Sequence, residues 1–296
     1  MATGISLSST SNLASGSKIA LASARVAFEP AAPGPDLIGM ERIPQGHKQW
    51  DVNTYARLAT ADALTEGVDL SQVQQLVTAT LTITPTEHGI ICTPSKRLIR
   101  RQGDSNVVGT VGALIGGSLK RRADLDVIAL FDGFSKTTPG AGTAIDVTHF
   151  RGTVAYLMTD NDSAYGPAPM PLKADLHIEQ ISDVVLDISD PGTAAGSRPA
   201  GFGDDMLQRW WKGSDRVYGI QLWHGGNITR DSGDDAKGGI FAEDALHIVW
   251  ANEADVTEEA DNSLRAVEYG IFQEWGEAER ADPHGVEIFS DSATTI

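Results

Sequence analysis

The chain of 296 residues carries 40 acidic against 23 basic residues, for a formal net charge of −17, with 41% apolar and 21% charged residues. Those are ordinary globular proportions, enough for one elaborate domain or two modest ones, and the acidity argues against a general nucleic-acid binder with a basic footprint. The 31 glycines and 13 prolines predict many turns, while the single cysteine, Cys92, excludes an intrachain disulfide and a cysteine-based zinc site and fits assembly in a reducing cytoplasm.

Residues 1–35 are low in complexity and end in Pro30-Ala31-Ala32-Pro33-Gly34-Pro35, so they read as an extended arm. Met1 to Lys18 has neither a basic start nor an apolar run, and no signal peptide is expected. Leu37 to Tyr55 reads as two strands around a turn at Pro44-Gln45-Gly46, with Lys48, Trp50, Val52 and Thr54 on one face of the second. A two-stranded hairpin is marginal alone. Its apolar face, with Trp50 and Val52, must pack on its own domain or on a neighbouring subunit. Val77 to Thr84 alternates cleanly, which predicts a strand with Val77, Ala79, Leu81 and Ile83 on one side.

Charge is uneven along the chain. From Ser95 to Arg122 there are seven basic residues and one acid, Asp104. Ser95 is placed to cap a short helix whose Lys96, Arg97, Arg100 and Arg101 share a face. Asp104-Ser105-Asn106 can then cap a long helix with Val108, Val111, Leu114, Ile115 and Leu119 as its apolar stripe; run to Leu130, it would span roughly 40 Å at ~1.5 Å per residue. Gly112, Gly116 and Gly117 weaken such a helix unless another backbone presses on that face. The longest apolar stretch, Val107 to Leu119, is too short to span a bilayer, so no membrane partner is expected.

Gly133 to Thr143 reads as a loop, and Asp146 as the cap of a helix carrying Val147, Phe150, Val154, Leu157 and Met158. A short helix with Ile178, Ile181 and Val185 follows, then a loop from Pro191 to Gly203 and a helix opened by Asp204 with Trp210 and Trp211. Val217 to Trp223 and Leu246 to Ala251 read as strands, and Arg265 to Trp275 alternates as a last long one. Between the latter two, Glu253 to Asn262 is an acidic run, which on composition is a solvated loop. The class is mixed α+β without a regular βαβ rhythm.

Motifs for chemistry are missing. Gly112 to Lys120 lacks the ending of a phosphate-binding loop, Gly201-Phe202-Gly203 lacks a third glycine, and Gly133-Phe134-Ser135-Lys136-Thr137 lacks the last glycine of a nucleophile elbow. The seven histidines have no metal-ligand spacing and read as solvated or singly hydrogen-bonded; Asp234-Asp235 reads as a solvated turn and Cys92 as a small core residue. No catalytic residue, metal site or cofactor is expected, and the chain is read as not an enzyme.

The order of these elements resembles the major capsid proteins of tailed bacteriophages, with their HK97-type fold. Leu37 to Tyr55 or somewhat beyond matches the protruding E-loop of that family, and Leu64-Thr65-Glu66-Gly67-Val68-Asp69-Leu70, the strand at Val77 and the helix from Ser105 look like the peripheral domain with its spine helix. Phe150 to Leu186, with Pro167-Ala168-Pro169-Met170-Pro171 and the Leu176-His177 step, is similar to the axial domain; Phe241-Ala242-Glu243-Asp244-Ala245-Leu246, Asp261-Asn262-Ser263-Leu264-Arg265 and Gly285-Val286-Glu287-Ile288 resemble the return to the peripheral domain and the closing strand.

The resemblance implies an N-terminal arm over 1–35, an E-loop over 36–70, a first part of the peripheral domain over 71–137 and an axial domain over 138–242. It further implies a second peripheral part with a tip loop over 243–280, and a closing strand and C-terminus over 281–296. It implies a virion protein of the icosahedral shell, assembled in the host cytoplasm as pentamers and hexamers of itself, with scaffolding, portal and decoration proteins as partners and packaged double-stranded DNA touched without sequence specificity. Trp50, Val52, Glu258, Glu259, Asp261 and Arg265 become candidate intersubunit contacts, with Arg265 offsetting the tip carboxylates. Lys96, Arg97, Arg100 and Arg101 form a candidate lumenal basic face, or else pair with carboxylates. The rival readings are an encapsulin-like compartment of the same fold, a hydrolase with a spatially assembled carboxylate site, and a monomeric binding module.

Overall fold

The computed structural model describes residues 32–61, 63–67, 69, 73–102, 107–159, 164–189 and 216–292. The arm before Ala32, the Asp104-Ser105-Asn106 cap, the loop from Pro191 and the helix opened by Asp204 lie outside them. The helices are α1 (Gly34–Leu37), α2 (Lys96–Gln102), α3 (Val107–Leu130), α4 (Val147–Met158) and α5 (Ile178–Ser189). The strands begin with β1 (Gly39–Arg42), β2 (Trp50–Tyr55), β3 (Thr78–Ile83), β4 (Thr86–Cys92), β5 (Thr137–Ala144) and β6 (Leu172–Leu176). They continue with β7 (Arg216–Val217), β8 (Ile220–His224), β9 (Asp235–Ala242), β10 (Leu246–Asp261), β11 (Ala266–Glu279) and β12 (Gly285–Asp291).

Among the described residues there are three sheets: a four-stranded one that runs β1-β10-β11-β4, a six-stranded one that runs β5-β12-β9-β6-β8-β7, and a two-stranded β2-β3 ribbon. On α3, Ile115, Leu119, Ala123 and Val127 recur every fourth residue and are buried; one face of the helix therefore packs with Leu246, Ile248 and Trp275 of the four-stranded sheet. Trp275 is wholly buried, stacks on His88 at 4.0 Å and donates from its indole to Asp126 of α3 at 3.2 Å. In the six-stranded sheet, Leu172, Leu176, Ile220, Ile240 and Ile288 meet Phe150 and Leu157 of α4 and Ile181 and Val184 of α5.

Strand β9 joins the two cores. Ile240 and Ala242 face the α4–α5 side, while Phe241 packs on Phe131 beside the end of α3. Being buried on both faces, it lacks the polar alternation that marks a strand in sequence. Gly238 is required there, because a Cβ would stand 2.6 Å from the Asp175 carbonyl oxygen. Gln180 ties α5 to this sheet: its wholly buried amide donates to the Ala236 and Ile288 carbonyls and to Ser290 Oγ.

Capping follows the sequence where it is described. Ser95 Oγ accepts from Leu98 N at 3.1 Å, and Asp146 and His149 form a reciprocal capping box on α4. Several expectations are corrected. The strands of the supposed Leu37–Tyr55 hairpin do not pair with each other. Instead, β1 runs parallel to β10, and β2 pairs antiparallel with β3 from Trp50↔Ile83 to Tyr55↔Thr78. The acidic run is strand rather than loop, since β10 continues through it to Asp261 with β11 as partner.

Residues 137–144 form β5 on β12, and Val217 to Trp223 is a hairpin turned by Tyr218 and Gly219, both at positive φ. Leu114 of the expected α3 stripe is 42% exposed, and a Cβ on Gly112 or Gly116 would meet nothing within 4 Å, so among the described residues no backbone presses on those two glycines. Asp235 is buried and accepts from Gly142 N at 2.7 Å. His284 is buried between Asp244 at 2.9 Å and the Gly166 carbonyl at 3.2 Å, and His247 is buried too.

Candidate assembly surfaces

Two parts of the surface stand out physically. The first is the β2–β3 ribbon with the loop that joins its strands. Trp50 and Leu81 pack on Ile43, Ile83 and Val249, so the base of the ribbon is anchored on its own chain and Trp50 is half-buried there. Val52 lies opposite Leu81 further out. Beyond that point backbone contacts continue, with Arg57 N donating to the Ala164 carbonyl at 3.0 Å and Ala59 N to Gln74 Oε1 at 2.8 Å, but the large apolar side chains are left uncovered. Leu58, Leu64, Val73, Leu76 and Val77 are between 54% and 89% exposed, and all lie within 20 residues of chain. Scattered exposed leucines are normal, but a run of this kind within one loop marks a contact surface. Sequence reasoning placed Val77 on a strand face and Leu64 in the peripheral domain, and it missed the group as a surface. Leu58, Leu64, Val73 and Leu76 follow neither a period of 2 nor one of 3.6, and only their density could have signalled them.

The second is the tip of the four-stranded sheet, where β10 turns through Asn262–Arg265 into β11. Asp261 makes this turn. Its carboxylate accepts from Ser263 N at 2.7 Å, Ser263 Oγ at 2.7 Å and Leu264 N at 3.0 Å, and these bonds hold its pKa below the usual carboxylate value. Glu258 and Glu259 are exposed along the ribbon, Glu258 across from Tyr269, whose phenol pKa is raised by burial and by that neighbouring charge. Arg265, at φ +52°, forms no ion pair with these acids among the described residues; its carbonyl instead accepts from Lys96 N at 2.8 Å.

That bond brings together two groups that are far apart in sequence. Lys96, Arg97, Arg100 and Arg101 of α2 line one cleft with Arg265 and Leu264. Among the described residues none of these five cations pairs with a carboxylate, whereas Arg122 further along pairs with Asp126 at 2.8 Å. Both readings of the basic segment, phosphate contact and ion pairing with carboxylates, stay open, and within the described residues α2 presents its charges unpaired.

Two acids come together beneath the surface. Asp124 of α3 and Asp175 of β6 are both wholly buried, and both have pKa values raised chiefly by burial, Asp175 well above its ordinary value with the charge of Asp124 adding to it. Asp124 accepts from Gly34 N and Asn227 Nδ2, each at 2.8 Å, which fixes the start of α1 against α3. Both carboxylates are shielded from solvent, and the bonds of Asp124 form a joint between elements. Among the described residues no group of three or more His, Cys, Asp or Glu could hold a metal, and no helix is long and apolar enough to cross a membrane.

No protein-family model matches the sequence, and no curated protein matches it. Solved structures do. The chain is similar to the acid-stable capsid of Helicobacter pylori bacteriophage KHP30, with a TM-score of 0.69 and 12% identity over 97% of this chain and 99% of that one. It is similar to the head of Helicobacter pylori bacteriophage KHP40 at TM-score 0.68 and 11% identity, covering 99% and 100% of the two chains. The capsid of cyanophage P-SCSP1u matches at TM-score 0.66 and 14% identity, over 92% of each chain. The chain has the HK97-type capsid fold. At such identities a capsid fold is conveyed by the order and pairing of its elements, with little shared at the level of single residues.

Proposed function

We propose that the chain is the shell-forming subunit of a tailed-phage capsid, a structural protein without catalytic activity. The observation that carries this reading is a capsid fold matched along nearly the whole chain, 92–99% of it in the three structures above. In this reading the β2–β3 ribbon with its joining loop is the E-loop, longer at its C-terminal end than the sequence implies. The four-stranded sheet with α3 as spine helix is the peripheral domain, and the six-stranded sheet with α4 and α5 is the axial domain.

Copies form pentamers and hexamers and close around double-stranded DNA, held through wide contacts of the kind obligate assemblies use. The exposed apolar residues of the ribbon loop reach a neighbouring copy, and a net charge of −17 lets the shell enclose DNA without gripping it. A scaffolding protein during assembly, a portal and decoration proteins complete the virion, built in the host cytoplasm. Sedimentation velocity of the purified full chain, alone and with its scaffold, tests the reading. Particles far larger than a dimer are expected, and a chain that stays monomeric under every assembly condition contradicts it.

A further inference from the structure

The sheet tip carries two clusters of like charge, opposite in sign, and neither is neutralised by another described residue. Arg97, Arg100, Arg101 and Arg265 are exposed and Lys96 half-buried around a cleft of about 540 Å³. The cleft is held by backbone: Lys96 N donates to the Arg265 carbonyl at 2.8 Å, and Val267 N donates to the Pro94 carbonyl at 3.1 Å. On the adjoining ribbon, the β10–β11 register sets Glu259 directly opposite Glu268, and Asp255 falls on the same face. Like charges directly opposite one another in an antiparallel pair repel. No lysine or arginine among the described residues pairs with these acids.

We propose that the cation cleft of one copy receives the Asp255, Glu259 and Glu268 face of a second copy. This rests on the capsid reading and adds to it the two surfaces that meet. Cleft and acidic face lie at the same end of the molecule yet do not meet within one chain. A rotation about an axis near the tip lets each copy's cleft take the next copy's acids, and such a head-to-tail contact closes into a ring. Phosphates of DNA would also suit five cations, but they would leave Glu259 and Glu268 repelling each other. A second copy relieves both clusters at once. Because all of these groups except Lys96 and Glu268 are exposed, the contact is screened by salt.

The test is a charge swap in the full chain, read by sedimentation velocity at low salt. Arg100→Glu with Arg101→Glu should lower the association constant between copies by about tenfold or more, and Glu259→Lys with Glu268→Lys should do the same. The quadruple variant, reversed on both sides, should recover to within about threefold of the parent chain. The milder Arg100→Gln/Arg101→Gln variant, which adds no new charge, should still weaken association, by about threefold to tenfold. A quadruple variant as weak as the reversed doubles overturns the proposal. So do Arg100/Arg101 variants that associate normally and lose only retention of double-stranded DNA, which would give the cleft to phosphates. A parent chain that never associates overturns the capsid reading and this one together; an associating parent without rescue overturns this one alone.

Discussion

Replacing Leu64 and Val73 by Ser separates the fold of the subunit from the work of the ribbon loop. The two side chains are 76% and 89% exposed, so the single chain gains little from them, and the double variant should unfold within about 0.5 kcal/mol of the parent. In a shell they are covered. Complete burial of a Leu or Val contributes about 2 kcal/mol, so at these exposures the pair supplies roughly 3 kcal/mol of apolar burial per subunit as an upper bound. That corresponds to on the order of a hundredfold in the association of one subunit, since 1.4 kcal/mol is about tenfold. The critical concentration for assembly, followed by light scattering over a dilution series, should rise accordingly. Circular dichroism melts of the unassembled subunit should coincide. If the critical concentration is unchanged, the loop is merely a solvated excursion and the reasoning from its exposed residues fails.

Trp275→Ala should cost about 3 to 5 kcal/mol in denaturant unfolding, because it empties a wholly buried site and strips Asp126 of its indole donor; a loss under 1 kcal/mol would mean that α3 is not held there. Gly238→Ala should destabilise by roughly 1 to 3 kcal/mol or prevent folding, since the methyl would press on the Asp175 carbonyl, and a neutral result would refute that close approach. Burial, with the charge of Asp282 and a hydrogen bond to it, raises Glu279 to about 7 from its ordinary 4.5. The folded chain therefore binds that proton more tightly than the unfolded chain does. Its stabilising effect is complete below about pH 4.5 and is lost as pH rises through about 7. Glu279→Gln should flatten the decline of melting temperature between those values, and an unaltered profile would refute the assignment.

How legible the fold was depended on whether an element is specified locally. Caps and helical periods are local, and Ser95, Asp146 and the Ile115 and Leu119 positions of the α3 stripe act as their chemistry dictates, although Leu114 is exposed and the buried face runs on through Ala123 and Val127. Strand partners are not local. Nothing in Gly39–Arg42 points to a strand some 200 residues away, and a nearby turn at Gln45-Gly46 made the wrong neighbour attractive. Glu253 to Asp261 reads as solvated because Glu and Asp disfavour strands, yet pairing with β11 overrides that preference. Asp235–Ala242 hid as a strand because its glycines look like turn residues when their use is to let other chain segments approach. For the surfaces, the basic residues of α2 were visible in sequence but their union with Arg265 was not, since it depends on a backbone contact between residues 96 and 265.

Electron cryomicroscopy of particles assembled from the full chain tests the central claim most directly, by showing what each copy's Trp50–Ile83 segment touches. The account predicts closed shells in which Leu64 and Val73 of every copy are covered by a neighbouring subunit. Monomers under all assembly conditions, or shells whose ribbon loops project uncovered into solvent, would contradict it.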